Sequence, residues 1–402
     1  MWSPDRSDPG LLVALIAGEE SGDQLGAALM RALRERSGGR TRFVGVGGRQ
    51  MSAEGLASPF PIDDLAMIGF SAILRRLPHV FGRIRQAAQF VVAARPDVLV
   101  IIDSPEFTHR VARHVRAAAP VVPILDYVSP SVWAWRSGRA RAMRRYVDHV
   151  LALLPFEPQV HARLRGPPCT YVGHPLLERL GELRPGEAEA QRRRAEPPVL
   201  LVLPGSRSGE LQRLLPIFGQ ALGLIAAGRT PIDLVLPTLP HFQARISAAT
   251  AGWPLRPRIV VDPKEKLASF RSARAALAKS GTVTLELALA GVPMVTAYQV
   301  SWFEEIVGRL TIHAPSAILP NLILGENAVP EFLQRACTPR NLASALAPLL
   351  EDGPQRKAQL AAFARIDAIM RPGTDAREAP SRRAAELVLS LTKPPPPGAL
   401  RA

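Results

Sequence analysis

The sequence predicts an α/β protein of two doubly wound, Rossmann-like domains facing each other across a cleft, with a helical C-terminus. Its 402 residues are more than one hydrophobic core usually serves, so two or three domains are expected. Short apolar runs alternate with longer segments of helical period, which is typical of parallel strands joined by helices. These runs are continuously apolar, as expected of strands that are covered on both faces.

Five strands are predicted in each half of the chain. In the first half they are 11–17, 42–46, 97–102, 121–127 and 149–154. In the second half they are 199–203, 232–236, 259–261, 275–278 and 292–297. The stretch 181–198 between the two series is polar, rich in Arg and Glu, and flanked by prolines, so it marks the domain boundary.

These elements predict an N-terminal α/β domain over 11–180 and a C-terminal α/β domain over 186–370. The pattern is helical from Pro330 to the end of the chain, and a helix over 371–392 can pack back on the N-terminal domain. The two ends, 1–10 and 393–402, are polar and rich in Pro, and we expect them to be disordered.

Composition narrows the class of partner. Lys and Arg number 50 against 35 Asp and Glu, and the net charge of +15 points to polyanions, anionic lipid or phosphorylated ligands. Two cysteines argue against a disulfide framework and favour a reduced, cytosolic setting. No run approaches the roughly 20 apolar residues of a transmembrane helix, so any membrane contact is expected to be peripheral.

In the first domain, two loops that follow strands carry polar residues. The loop 18–23 holds Glu19, Ser21 and Asp23, which suit either a capped turn or a site for sugar hydroxyls. It lacks the Gly-x-Gly-x-x-Gly fingerprint, which argues against a nicotinamide oxidoreductase. Asp103 ends the third strand and is either the cap of the next helix or a general base.

In the second domain, two loops are predicted to bind phosphate. One runs from Leu203 through Ser206 and Arg207 into a helix, and the other is 279–286, where Lys279 precedes Ser280, Gly281, Thr282 and Glu286. Backbone amides, hydroxyls and cations at such helix starts suit a pyrophosphate, and Glu286 suits ribose hydroxyls. The alternative is a plain N-cap with an acid in the first turn. The chain has no Asp-x-Asp and no His-x-x-x-His, so neither a metal nor a cofactor is predicted.

The segment 67–85 combines apolar residues at helical spacing with arginines. We interpret it either as an ordinary crossover helix or as a membrane-contacting face, and we expect Pro78 to interrupt the helix. The membrane and acyl-chain residues would be Ile68, Phe70, Ile73, Leu74, Leu77, Arg75 and Arg76.

Taken together, the loops resemble the motif set of the lipid-A-disaccharide synthase family. The matching segments are AGEESGDQLGAALMRAL, GVGGRQM, IDSPEF, SPSVWAWR, LPFE, PCTYVGHPL, LPGSR, KSGTVTLE and NLILGENAVPEFLQ, between about Leu11 and about Arg340. The chain departs from the family's usual residues at Glu20, Ala72, Ser104 and Glu106.

The resemblance implies a GT-B inverting glycosyltransferase. Its substrates would be UDP-2,3-diacylglucosamine and 2,3-diacylglucosamine 1-phosphate, joined in a β(1→6) disaccharide with release of UDP. It implies Asp103 as the catalytic base, Arg207 as a phosphate ligand, Glu286 as the ribose carboxylate, and 280–282 facing the diphosphate. Glu19, Ser21 and Asp23 would then contact the acceptor or sugar.

The same resemblance implies a cytoplasmic enzyme, peripheral on the inner membrane of a Gram-negative bacterium. A homodimer is one option for its oligomeric state. No nucleic-acid partner is expected, because no basic motif of a known nucleic-acid module is present. The main alternative is another two-domain nucleotide-sugar enzyme, such as a different glycosyltransferase or an epimerase.

Overall fold

The computed structural model describes residues 10–65, 70–228, 231–312, 314–371 and 378–392, with the backbone alone at 63, 70–77, 303, 307, 309 and 310. Of the ends that were expected to be disordered, 1–9 and 393–402 lie outside the described residues. The chain divides into two compact units. Unit 1 comprises Met1–Leu177 with Pro372–Ala402, and unit 2 comprises Glu178–Arg371.

Each unit is built on a parallel sheet of six strands. Unit 1 contains β1 (Leu12–Ala17), β2 (Arg42–Val46), β3 (Val98–Ile102), β4 (Ile124–Tyr127), β5 (His149–Ala152) and β6 (Cys169–Tyr171), in the order 2-1-3-4-5-6. Unit 2 contains β7 (Val199–Leu203), β8 (Asp233–Pro237), β9 (Arg258–Val260), β10 (Ala275–Lys279), β11 (Met294–Tyr298) and β12 (Glu331–Leu333), in the order 12-11-10-7-8-9. The ten predicted strands are confirmed, and β6 and β12 are additional. Because β12 follows Pro330, the prediction of an entirely helical C-terminal part is wrong there.

Helices connect the strands in both units. Unit 1 has α1 (Glu20–Arg36), α2 (Arg49–Ala53), α3 (Phe70–Ala94), α4 (Thr108–Ala118), α5 (Gly138–Met143) and α6 (Glu157–Arg163). Unit 2 has α7 (Leu180–Leu183), α8 (Glu187–Arg194), α9 (Ser208–Ala226), α10 (Gln243–Thr250), α11 (Pro263–Ser272), α12 (Val283–Leu289), α13 (Trp302–Thr311), α14 (Leu319–Leu324), α15 (Pro339–Leu346) and α16 (Pro354–Met370). The final helix, α17 (Pro380–Thr392), belongs to unit 1.

The sheet of unit 1 is buried on both faces, as its continuously apolar strands require. Along β1, Ala14 and Ile16 belong to a core with α3 and α4, whereas Val13 and Leu15 belong to a core with α1 and α17. This alternation follows from the period of two along a strand.

Helix α17 packs on α1 and completes the second of these cores. Its Ala384, Ala385 and Val388 are fully buried, and burial of a Val side chain alone contributes about 1.5 to 3 kcal/mol. At the surface, Arg382 of α17 pairs with Glu35 of α1 at 2.8 Å. Helix α17 is therefore an integral part of unit 1.

In unit 2, α9 and α15 pack on one face of the sheet around Phe218, Leu222 and Leu346. Helix α16 is tied to β11 by the Gln359 amide, which accepts a hydrogen bond from Met294 N at 2.8 Å and donates one to Met294 O at 3.0 Å. The stretch 181–198, predicted as the boundary, carries most of α7 and all of α8.

Helix α3 runs without a break from Phe70 to Ala94 with Pro78 inside it, so the predicted interruption at Pro78 is wrong. After Pro78, the side chains of Ile84, Ala87 and Val91 are buried in the core of unit 1. This packing offsets the backbone hydrogen bond that a proline cannot donate. Ile68 lies outside the described residues, and the other predicted membrane residues, Phe70, Ile73, Leu74, Arg75, Arg76 and Leu77, lie in α3. No helix in the described ranges is long and apolar enough to cross a membrane.

Each sheet reverses its strand order at one place, and there the loops that follow two adjacent strands lie side by side. In unit 1 the reversal is between β1 and β3, where Ala17 is paired with Ile102, so Gly18 and Asp103 start neighbouring loops. In unit 2 it is between β7 and β10, where Leu203 is paired with Ala278. Ligands of open α/β sheets bind at such reversals, and the candidate residues follow these strands.

Candidate functional site

Asp103 occupies the reversal point of unit 1 with its carboxylate held by two donors. Ser21 Oγ donates to Asp103 Oδ2 at 2.9 Å, and the Ser104 amide donates to Asp103 Oδ1 at 2.8 Å. Asp103 N donates to Tyr127 O, and Thr108 Oγ1 donates to Asp103 O at 2.6 Å, so the backbone is fixed as well. The side chain is half-buried. The carboxylate is thus oriented and still accessible.

The backbone at this point is strained. Asp103 and Ser104 have φ of +53° and +44°, a left-handed conformation that costs a non-glycine residue about 1 kcal/mol or more. Helix α4 begins at Thr108 without a side-chain cap, so the alternative of Asp103 as its cap is wrong. Strain of this kind is concentrated at functional sites.

The loop 18–23 packs directly against this strained turn. Glu19 Oε1 accepts a hydrogen bond from Ser104 Oγ at 2.5 Å. A Cβ on Gly18 would lie 2.7 Å from Ser104 Cβ, so only glycine permits the approach. Glu19 occupies the N-cap position of α1 but its side chain does not cap the helix. Glu19, at the N-cap position of α1, and Ser21, in the first turn of that helix, are therefore beside Asp103, and both are exposed.

Asp23 has a different environment from its neighbours. Its side chain is buried and accepts hydrogen bonds from Gly48 N, Gln50 N and Met51 N at 2.7 to 3.0 Å, at the start of α2. All of its contacts are thus to the backbone of the adjoining loop and helix. We therefore leave Asp23 out of the acceptor site proposed below.

A cavity of about 260 Å³ lies at the reversal point of unit 2. Of the predicted donor-site residues, Ser206, Lys279, Gly281, Thr282 and Glu286 line it. Ser280 is buried behind them, and Arg207 is exposed at the N-cap position of α9. The structure thus brings the two phosphate-like loops to one place.

A buried acid joins these two loops. Glu210 of α9 accepts a hydrogen bond from Ser206 N at 3.0 Å and pairs with Lys279 Nζ at 3.0 Å. Gly205 between them has φ +113°, and a Cβ there would lie 2.3 Å from Glu210 Oε2. The Lys279 ammonium also lies 5.3 Å from the centre of the Tyr298 ring. These contacts hold the Lys279 side chain in position at the wall of the cavity.

Glu286 lies in the first turn of α12, opposite Lys266 of α11, and their charged atoms are 3.3 Å apart. Both side chains line the cavity. Thr282, at the N-cap position of α12, makes no side-chain cap, so the plain-cap alternative is wrong for this loop. The carboxylate of Glu286 retains acceptor capacity toward the cavity, since one contact uses only part of it.

Besides Glu210, two polar residues that line the cavity, Lys266 and Thr238, were not predicted as site residues from the sequence. Lys266 belongs to a helix whose sequence has no phosphate-loop pattern. Thr238 follows β8 at the same edge of the sheet, and its position after a buried strand was the available signal. Within the described residues the hydroxyls of Thr238 and Ser280 are buried without a hydrogen-bond partner. Orphaned hydroxyls beside a cavity indicate polar contacts that a ligand completes.

Across the described ranges, no group of three or more His, Cys, Asp or Glu side chains is arranged to hold a metal ion. The positive charge at the unit 2 cavity comes from the lysines.

A protein-family model described as lipid-A-disaccharide synthetase matches residues 13–382. The chain belongs to the lipid-A-disaccharide synthase family. It is 60% identical over 377 residues to the lipid-A-disaccharide synthase of Nitrobacter hamburgensis, covering 94% of each chain. It is 59% identical over 379 residues to that of Rhodopseudomonas palustris strain BisB18, covering 94% of this chain and 95% of the relative.

Solved structures show the fold of this synthase family member. A glycosyltransferase of kitacinnamycin matches with a TM-score of 0.60 at 17% identity, over 96% of this chain and 99% of that one. Acinetobacter baumannii MurG matches with a TM-score of 0.57 at 16% identity, over 95% and 100%. A putative UDP-N-acetylglucosamine 2-epimerase from Listeria monocytogenes matches with a TM-score of 0.60 at 14% identity, over 95% of each chain. These likenesses confirm the predicted GT-B fold class.

The family assignment confirms the predicted activity class, a glycosyltransferase. The alternative of an epimerase or another nucleotide-sugar enzyme is not favoured, because the relatives near 60% identity are lipid-A-disaccharide synthases. The epimerase likeness, at 14% identity, extends only to the fold.

Proposed function

We propose that this enzyme transfers 2,3-diacylglucosamine from its UDP derivative to the 6-hydroxyl of 2,3-diacylglucosamine 1-phosphate, with inversion and release of UDP. The observation that carries the proposal is the position of the Asp103 carboxylate. Asp103 lies in a left-handed turn at the reversal point of unit 1, and its side chain does not cap helix α4. The family assignment supports the reaction, and this geometry supports Asp103 as its base.

Asp103 acts as the general base in this proposal. Inversion needs one displacement, in which a base removes the proton from the attacking hydroxyl while the leaving group departs. Ser21 donates to Oδ2 and the Ser104 amide donates to Oδ1, which leaves lone pairs on both oxygens for the acceptor hydroxyl. Glu19 and Ser21 lie close enough to Asp103 to contact the other acceptor hydroxyls.

The cavity of unit 2 binds the UDP part of the donor. Lys279 and Arg207 supply positive charge, and the hydroxyls of Ser206, Ser280 and Thr282 supply hydrogen-bond donors for the departing diphosphate. Glu286 accepts hydrogen bonds from the ribose hydroxyls. These residues belong to loops that follow adjacent strands, which supports a shared role in binding one ligand.

The proposal includes the location of the enzyme. Both substrates carry acyl chains, so we place it in the cytoplasm, peripheral on the inner membrane of a Gram-negative bacterium. The contact would be made by the N-terminal part of α3 and the segment before it. A homodimer remains a prediction.

The test is UDP release measured by ultraviolet absorbance in a coupled assay, with and without the lipid acceptor. Release that depends on the acceptor is expected. Asp103→Asn is expected to lower kcat by about 100-fold or more, the contribution of a general base. Asn tolerates the left-handed backbone as Asp does, so the thermal unfolding midpoint should not change.

Glu20→Gln is the matched control, because it removes an exposed carboxylate from the same edge of the sheet. It should retain activity within about threefold. Release of UDP without any acceptor dependence, or full activity of the Asp103→Asn variant, would contradict the proposed function.

A further inference from the structure

Three arginines converge on one carboxylate next to the proposed base. Glu106, three residues after Asp103, accepts hydrogen bonds from Arg139 of α5 and from Arg136 NH1 at 3.2 Å. Arg110 of α4 lies 3.5 Å from its other oxygen. We refer to Arg110, Arg136 and Arg139 as the arginine cluster.

The arginine cluster has more positive charge than its partner neutralises. One carboxylate faces three guanidinium groups, and these hydrogen bonds, that from Arg139 foremost, hold the pKa of Glu106 below its usual range. The net charge of the four groups is therefore +2. A guanidinium carries five N–H donors, and a single carboxylate cannot accept from most of them.

Aromatic rings also hold two side chains of the arginine cluster in place. The Arg136 guanidinium lies 4.5 Å from the centre of the Trp135 ring, and that of Arg110 lies 5.3 Å from the Phe81 ring. Arg136 has φ +51°, a left-handed conformation that directs the chain from the Trp135 loop toward α5. Its side chain remains 57% exposed. Arg110 and Arg139 are partly buried. Guanidinium groups that are held in place in this way suit the recognition of phosphate.

The sequence spacing between Asp103 and Glu106 keeps the arginine cluster near the proposed base. The chain from Asp103 to Glu106 can span at most about 10 Å, which is of the order of the length of a hexose. In a pyranose, C1 and the C5 carbon that bears the 6-hydroxymethyl group both flank the ring oxygen, so an acceptor with its 6-hydroxyl at Asp103 carries its anomeric phosphate within one ring of that carboxylate. A phosphate monoester carries a charge of about −1.5 to −2 at neutral pH. This charge matches the excess positive charge of the arginine cluster and Glu106.

We propose that Arg110, Arg136 and Arg139, held together by Glu106, form the binding site for the 1-phosphate of the acceptor. This inference rests on the proposed function, since it takes Asp103 as the base for the 6-hydroxyl. The site selects a phosphate monoester on the anomeric carbon of an acylated glucosamine. It distinguishes the acceptor from the same sugar without phosphate.

The experiment compares two acceptors on two enzyme forms. kcat/KM is measured by UDP release for 2,3-diacylglucosamine 1-phosphate and for 2,3-diacylglucosamine, with the wild type and with Arg136→Ala/Arg139→Ala. The variant should lose at least tenfold for the phosphorylated acceptor, mainly in KM, and less than threefold for the other. The ratio of kcat/KM for the phosphorylated acceptor to kcat/KM for the unphosphorylated one should therefore fall by at least about threefold.

Arg141→Ala/Arg144→Ala is the matched control, because it removes two exposed arginines of the neighbouring turns. It should keep the wild-type preference. An equal loss for both acceptors in the cluster variant, or the same collapse in the control, overturns the inference.

If turnover of the unphosphorylated acceptor is too slow to measure, soluble glucosamine 1-phosphate and glucosamine serve as competing inhibitors. Their inhibition constants should differ in the wild type and converge in the cluster variant, and unchanged constants overturn the inference. Failure of the proposed function gives a different result, namely a wild type that shows no acceptor-dependent release of UDP.

Discussion

Lys279 pairs with an acid of its own unit and lies where a diphosphate would also contact it. Its ammonium pairs with Glu210, which is 8% exposed, and this pair keeps the lysine charge satisfied in a partly desolvated place. A diphosphate in the cavity would give the ammonium a second anion to contact. The five N–H donors of an arginine would not fit this role as well, because the lysine works here as a compact point charge.

Lys279→Ala is expected to weaken UDP binding by about 10-fold to 100-fold, since a charge-assisted hydrogen bond contributes about 1.5 to 3 kcal/mol. Isothermal titration calorimetry with UDP measures the effect. Lys264→Ala removes an exposed lysine from the same unit and should leave the affinity unchanged. Equal losses in the two variants would show a general charge effect instead of a phosphate contact.

Glu157 is a second residue whose charge state depends on burial. It is the first residue of α6, is 3% exposed, and accepts a hydrogen bond from Leu154 N at 2.9 Å. Burial raises its pKa to about 8 from an ordinary 4.5. The folded protein therefore holds this proton at neutral pH, whereas the unfolded chain has lost it.

Because the folded state binds the extra proton, the contribution of Glu157 to stability is fully present below pH 4.5 and is lost as pH rises toward 8. The loss is about 1.4 kcal/mol per pH unit in that window. Glu157→Gln keeps a neutral acceptor and should flatten the dependence, with stability near the wild type at pH 5 and above it at pH 8. Thermal unfolding at both pH values tests this. Glu187→Gln, at an exposed acid, should follow the wild type, and so would Glu157→Gln if Glu157 titrated normally.

At the scale of elements, Asp23 connects two helices. It lies on α1, and its carboxylate accepts from three backbone amides at the start of α2. Helix α2 has five residues and no cap of its own, so this contact from another helix satisfies its first donors.

Asp23→Ala is expected to destabilise unit 1 by about 3 kcal/mol, because buried amides lose their acceptor. The unfolding midpoint of unit 1 should fall by several degrees, while UDP affinity measured in unit 2 stays the same. Asp23→Asn should be intermediate, since its amide keeps one acceptor oxygen. If Asp23→Ala left the midpoint unchanged and reduced only acceptor use, Asp23 would belong to the acceptor site after all.

The strands that the sequence did not predict share a physical cause. β6 and β12 have three residues each and lie at sheet edges, and none of their residues is buried. Such segments lack the continuous apolar run that identifies a strand covered on both faces. Helix α3 differs for the opposite reason: Pro78 is a correct local signal for a break, and tertiary packing of the following turns overrides it.

For the site, the sequence located the loops but not the partners within them. Strand ends followed by Asp103 and Lys279 were predictable, because parallel strands place such loops at one edge. The pairing of Lys279 with Glu210, and the capping of α2 by Asp23, depend on side chains that meet only in the folded chain.

At the scale of the whole molecule, the net charge of +15 is unevenly distributed. The segment 106–148 alone carries eight arginines against three acids. It includes cavities of about 550 and 460 Å³ lined by Arg113, Arg116, Arg141, Arg144 and Arg145. In the described part of α3, Phe81 is 45% exposed and Arg85 is exposed as well. Basic and apolar groups therefore occur together on unit 1, as on proteins that lie at an anionic membrane surface.

The full-length protein is expected to bind phosphatidylglycerol vesicles and not phosphatidylcholine vesicles in a sedimentation assay. Binding should weaken with salt, because the Debye length falls from about 10 Å at 0.1 M to about 3 Å at 1 M. Arg75→Glu/Arg76→Glu should weaken it by about tenfold or more, since each basic residue near the surface contributes about 1 kcal/mol.

The matched control for this charge reversal is Arg256→Glu/Arg340→Glu, which changes two exposed arginines of unit 2 and alters the net charge by the same amount. If attachment depends on where the charge lies, only the α3 variant loses binding. If both variants lose it equally, the total charge of the protein drives a diffuse attraction, and the segment around α3 is an ordinary crossover helix. Binding that is indifferent to salt and to both reversals would exclude an electrostatic contact and leave apolar insertion as the mode of attachment.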